Sequence, residues 1–320
     1  MHPVAPDPLR SLRHRLLNSV HTALALGAMA ALAGYIGWSL FGAQGLLWTA
    51  ALALVATALS PRVSPRWVLR LSGARELAPW QAPALHAVVR ELAARAELPR
   101  APRLYYVPSR ALNAFATGSR EDSAVALTDG LLRSLTLREL AAVLAHEVAH
   151  VAADDLKVMN LADVVGRVTA LLSLAGQALL VAMLPAAALR GYEPPLDLIA
   201  VLILAPTVTL LLQLALSRTR EYQADLAGAE LVGDPAALAS ALDKLERLQG
   251  GWMERMFMAG GRVPKWLRTH PPMAERIRRL AALLPPRRQA AWDRLDEFAQ
   301  LEDVPEVTRP PRWHWNGLWY

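Results

Sequence analysis

The chain has 320 residues, enough for one or two domains with a core, yet 54% are hydrophobic and only 19% charged, against about 25% charged in an ordinary soluble domain. That deficit argues against a wholly soluble protein and places part of the chain in lipid. The absence of cysteine excludes disulfides, thiolate metal sites and cysteine nucleophiles, and the net charge of +6 comes without any nucleic-acid recognition motif, so no nucleic-acid partner is expected.

The first 21 residues are basic, with Arg10, Arg13 and Arg15. Residues 22–41 then carry no charge, and about 20 apolar residues span a bilayer as a helix. A Gly-Ala-Gln-Gly turn is expected at 42–45, followed by a shorter uncharged stretch at 46–60. A cleaved signal peptide has one apolar core of about 7–15 residues. Two apolar stretches in succession fit a membrane hairpin over 22–60 instead. The limits of the shorter second span stay open.

Residues 61–167 change character. Prolines 61, 65, 79 and 83 punctuate the entry, and 81–97 shows helical spacing of Leu85, Val88, Val89 and Leu92. Three short strands are expected at 103–107, 113–117 and 124–127. Helix follows from about 130 to 165. Thr136-Leu137-Arg138-Glu139 reads as a capping box opening that helix.

The helix carries His146-Glu147-Val148-Ala149-His150. Histidines four apart leave one face of a helix a turn apart, which suits two ligands of one tetrahedral zinc. Glu147 adjoins the first of them, where it can act as general base on a water at the metal. Leu140, Val143, Leu144 and Val148 make the segment apolar, so these ionisable groups are partly buried and need a partner such as a metal.

A second uncharged pair follows at 168–189 and 196–216, with a polar loop between and Pro206 expected to kink the last helix. From 217 the chain reads as soluble again, with helices over 221–231 and 235–248. Residues 250–263, rich in Gly and Met, read as a mobile loop and a candidate lid. The tail at 285–320 is rich in Pro, Arg and Trp. It reads either as an interfacial anchor, since Trp favours the head-group layer, or as a disordered extension.

Arg62, Arg66 and Arg70 follow the first hairpin, while Arg167 precedes the second and Arg218 and Arg220 follow it. The positive-inside rule then puts 61–167 and 217–284 together on the cytoplasmic side. This matters for a third zinc ligand. Glu221 and Asp225 lie one helical turn apart just after the last span. Glu221 is expected to bind zinc, and Asp225 to accept the N–H of a ligand histidine.

In this order the motifs resemble those of the M48 metallopeptidases of the HtpX type: Asn113-Ala114-Phe115-Ala116-Thr117-Gly118, His146-Glu147-x-x-His150, a membrane hairpin, Arg220-Glu221-Tyr222-x-Ala224-Asp225, and Thr269-His270-Pro271-Pro272 with Glu275-Arg276-Ile277. The resemblance covers roughly residues 10–283. It implies a mainly α, α+β architecture: a gluzincin-type domain with a small sheet and about four transmembrane helices in two hairpins. It implies one zinc per chain and endoproteolysis of protein or peptide substrates, membrane proteins above all, damaged or misfolded ones included. The setting would be a bacterial inner membrane with the site facing the cytoplasm. Asn113, Ala114, Phe115 and Ala116 would pair with an extended substrate backbone. His270 and Arg276 would stabilise the oxyanion. The competing readings are a zinc-binding membrane scaffold or chaperone without turnover, which the intact Glu147 opposes, and a four-helix transporter. A transporter calls for ionisable residues inside its spans, and these spans have essentially none.

Overall fold

A computed structural model describes residues 8–59, 69–70, 72–191, 193, 195–257, 273–283, 304 and 307. In chain order the elements are α1 (Pro8–Leu59), β1 (Arg75–Glu76), α2 (Pro83–Arg95), β2 (Arg103–Val107), β3 (Ala114–Gly118), β4 (Ser123–Thr128), α3 (Asp129–Ser134), α4 (Leu137–Ala152), α5 (Asp155–Arg190), α6 (Leu196–Val232), α7 (Pro235–Phe257) and α8 (Met273–Ala281). They form two units, each made from two stretches of sequence: Met1–Arg62 with Val158–Thr219, and Val63–Lys157 with Arg220–Tyr320.

The first unit is helical. Among the described residues, three helices are long and apolar enough to cross a membrane: α1 over Ser19–Ala58, α5 over Asp155–Pro185 and α6 over Leu196–Val232. The first is broken at Phe41 and Gly42, where Gly42 takes φ 62° and ψ −146°, a conformation open to glycine. Beyond the break the chain folds back. Gly37 packs on Thr49 and Gly45, and a Cβ on Gly37 would lie 2.7 Å from the Gly45 carbonyl oxygen. In a straight helix residues eight apart are about 12 Å distant. Reversal therefore takes two residues, where the sequence suggested four, because one glycine at positive φ suffices. Small residues let the two arms meet backbone to backbone.

Two buried clusters fill this unit, one around Met29, Ala162, Val165 and Leu216, the other around Ile36, Leu202 and Ala205. Leu171, Leu174, Val181, Ile203 and Leu204 face outward, as lipid-facing residues do. Pro206 lies inside α6. It has no N–H to give the Leu202 carbonyl. That oxygen accepts instead from Ser173 Oγ and, at 2.9 Å, from Gln177 Nε2, both on α5. The helix expected over 221–231 is the end of α6, which runs unbroken to Val232.

The second unit is built on a four-stranded sheet in the order β1-β2-β4-β3. β1 is antiparallel to β2, β2 parallel to β4, and β3 antiparallel to β4. β4 is buried along its whole length, which suits its apolar Ala-Val-Ala-Leu run, whereas β3 lies at the edge. One face of the sheet shares a core with α2 and α4 through Leu85, Leu92, Val125, Leu127, Leu140 and Leu144, and α7 packs on α4 in the same cluster. The other carries Tyr105, Val107 and Ala126, with Leu69 and Phe115.

α4 is the centre of this core, buried at nearly every position. The capping box forms: Thr136 caps the Glu139 N–H, and Glu139 Oε2 accepts from the Thr136 N–H at 2.8 Å. The same carboxylate also takes Ser240 Oγ and Lys244 Nζ, each at 2.7 Å, from α7. α7 extends through Phe257, so residues 250–257 are helical where a loop was expected. The remainder of that loop, His270 and most of the tail lie outside the described residues.

Candidate metal centre

Three donor groups converge in the second unit. His146 and His150 come from α4 and Glu221 from α6, and their ligand atoms all lie within 4.8 Å of one another. His146 Nε2 is 3.2 Å from His150 Nε2, 3.7 Å from Glu221 Oε2, and His150 Nε2 is 3.9 Å from Glu221 Oε1. Donors at 2.0–2.1 Å from a tetrahedral zinc lie about 3.4 Å from each other. The observed separations match that value to within about half an ångström, and two imidazoles with one carboxylate are a donor set of catalytic zinc.

The charges point the same way. Glu147 and Asp225 are buried, as are Asp155 and Arg276. With the mostly buried Glu221 and Arg220, four carboxylates meet two guanidinium groups. Two negative charges remain, and a dication offsets them. Burial opposes the charged form of His150, but the hydrogen bond it donates to Asp155 and the charges of Glu147 and Glu221 raise its pKa above the ordinary histidine value.

Each histidine has a carboxylate close behind its Nδ1. His146 Nδ1 lies 3.1 Å from Asp225 Oδ1, though outside good hydrogen-bond alignment. Arg276 grips Asp225 with two bonds, Nε at 2.7 Å and Nη2 at 2.6 Å, and its Nη1 reaches Glu221 Oε2 at 3.3 Å. Burial opposes the charge on Arg276, but Asp225, Glu221 and Glu147 outweigh it and raise its pKa. His150 Nδ1 is 2.8 Å from Asp155 Oδ2. The sequence reading did not include Asp155. It stands five residues after His150, past a turn in which Asp154 takes φ 54°.

Close approach of α6 to α4 makes the constellation possible. A Cβ on Gly228 would lie 2.9 Å from both the N and Cα of His146. Gly228, one turn beyond Asp225, is therefore a second residue that sequence reasoning missed.

The edge strand reaches the site. Glu147 Oε2 accepts the Ala116 N–H at 2.8 Å. The Asn113 carbonyl accepts the Thr128 N–H while the Asn113 N–H donates to the Thr128 hydroxyl, and with Phe115 opposite Ala126 antiparallel alternation turns the backbone of Phe115 toward β4 and leaves that of Ala114 and Ala116 on the outer edge. The Phe115 side chain packs on the far face of the sheet, with Leu69 and Tyr105. Of the four residues expected on the strand, Ala114 and Ala116 thus turn their backbone away from β4, and the Ala116 N–H there is taken by Glu147.

A model of peptidase family M48 matches residues 79–284. A protein named protease HtpX homolog from Methylibium petroleiphilum is 38% identical over 290 residues, which is 85% of this chain and 100% of that one. Relatives of the same name from Burkholderia mallei and Burkholderia thailandensis are 38% identical over 283 residues, 83% of this chain and 96% of theirs. Among solved structures, Ste24p of S. mikatae is 20% identical with a TM-score of 0.47, the match covering 83% of this chain and 65% of that one.

Proposed function

We infer, since this chain belongs to peptidase family M48, that it is a membrane-bound metalloprotease whose metal is zinc, held by His146, His150 and Glu221. The observation that carries the zinc assignment is the donor spacing of 3.2–3.9 Å beside the carboxylate of Glu147. When bound, zinc supplies Lewis acidity, lowering the pKa of water toward about 7 and polarising a carbonyl.

The remaining work belongs to the chain's own groups. Glu147 takes the proton of the attacking water and returns it to the leaving amine. Its contact with the Ala116 N–H places that base beside the strand a substrate would join. An extended peptide adds to the outer edge of β3 through the backbone of Ala114 and the carbonyl of Ala116, whose N–H is held by Glu147, and this sets the scissile bond relative to Glu147. Asp225 fixes the His146 ring. Arg276, already committed to Asp225 and Glu221, acts by holding those carboxylates. The resemblance to the M48 peptidases implies that His270 stabilises the oxyanion.

The protease family supports protein or peptide substrates, and the apolar helices support membrane proteins, damaged or misfolded ones included, among them. The bacterial relatives support an inner-membrane location. The Arg residues flanking the apolar segments support a site facing the cytoplasm. Two crossings by α1 are supported by its 40 apolar-rich residues and the reversal at Gly42, since about 20 suffice for one.

The test is Glu147→Gln. That variant should keep zinc and lose cleavage of a membrane-protein substrate by about a thousandfold or more. Wild-type turnover in Glu147→Gln would overturn the mechanism.

A further inference from the structure

We propose that Asp155 and Arg220 form a positioning pair that holds the His150 imidazole and sets the register of Glu221, so that two metal ligands from different segments of the chain are aligned through one carboxylate. The proposal rests on the metal reading above. Asp155 is 4% exposed, and both its oxygens are engaged: Oδ2 lies 2.8 Å from His150 Nδ1 and Oδ1 accepts from Arg220 Nη1 at 2.8 Å. Neither oxygen is left to bind a metal.

A carboxylate at Nδ1 keeps the proton there and leaves the Nε2 lone pair for a metal. Nε2 is the atom that faces His146 and Glu221. Arg220 immediately precedes Glu221 in α6, so a bond from its guanidinium to Asp155 restrains the backbone from which the third ligand springs. Asp155 itself opens α5, directly after the left-handed turn at Asp154, and that turn brings its carboxylate back toward α4. The arrangement repeats the one behind the other histidine, where Asp225 is held by Arg276. Each ligand histidine thus backs onto an aspartate, and each aspartate onto an arginine.

The test uses the full chain in detergent, with zinc affinity from chelator competition and the cobalt(II) absorption spectrum as readouts. An ordinary structural ion pair would move neither. Asp155→Asn keeps the shape but turns an amide toward either His150 or Arg220. It should bind zinc about 10–100-fold more weakly and shift the cobalt bands. Arg220→Met should weaken binding in the same direction, and Arg220→Lys less so. The double variant Asp155→Asn, Arg220→Met should lose little beyond Asp155→Asn alone, because both act through one carboxylate. Wild-type affinity and spectrum in Asp155→Asn would overturn the proposal. If that variant does not fold, Arg220→Met decides: weakened binding supports the pair, and unchanged binding overturns it. Failure of the wild-type chain to bind zinc would overturn the metal reading itself, an outcome distinct from zinc-loaded variants that behave as wild type.

Discussion

At the scale of the residue, the site depends on placement more than on identity. Gly228 makes this concrete. It touches no ligand atom, yet a Cβ there would press on the His146 backbone at 2.9 Å. Gly228→Ala should force α6 away from α4 by about half an ångström. Misplacement on that scale costs a reaction dearly, and cleavage should fall about tenfold or more while far-UV circular dichroism stays unchanged. Wild-type turnover in Gly228→Ala would show that the two helices have slack. The His146-Glu147-x-x-His150 pattern was legible because its spacing is local and periodic, whereas Glu221 was reached only through its place just after the last apolar span. Gly228 and Asp155 were not. The first matters only through a tertiary contact, and the second only through a left-handed residue that returns the chain to α4.

At the scale of the element, α4 positions both histidines, and its start is fixed by a carboxylate. Glu139 accepts from the Thr136 N–H and joins Ser240 and Lys244 on α7. Burial works against its charge, but these bonds outweigh it and hold its pKa below the usual glutamate value. The sign follows. A carboxylate whose folded pKa is depressed stabilises fully above its unfolded pKa of about 4.3, and the contribution is lost as pH falls through the lower folded value. Thr136→Ala should cost about 1 kcal/mol, and Glu139→Gln about 2 kcal/mol near neutral pH. In thermal melts Glu139→Gln should show a smaller loss of Tm between about pH 7 and pH 3.5 than the wild type. Parallel pH profiles would contradict the assignment.

Elements built on local signals were readable: β2, the capping box, and the apolar pattern of α2. The errors came where tertiary context overrode propensity. Gly250 and Gly251 suggested a loop, yet α7 runs on to Phe257. The polar stretch after residue 216 suggested a new helix, yet α6 continues through it.

At the scale of the whole molecule, each unit is discontinuous in sequence. In the unit that holds the site, the candidate metal ligands come from both of its stretches: His146 and His150 from the earlier, Glu221 from the later. The long apolar helices between them belong to the other unit. The same division explains the composition, whose charge deficit came from one unit and whose ionisable clusters came from the other. The central claim is that the two stretches share one metal. The most direct measurement is the zinc affinity and content of the purified full chain against its Glu221→Ala variant. The account predicts zinc bound by the wild type and by Glu147→Gln, and lost by Glu221→Ala at matched zinc concentration. Wild-type zinc content and affinity in Glu221→Ala would contradict it.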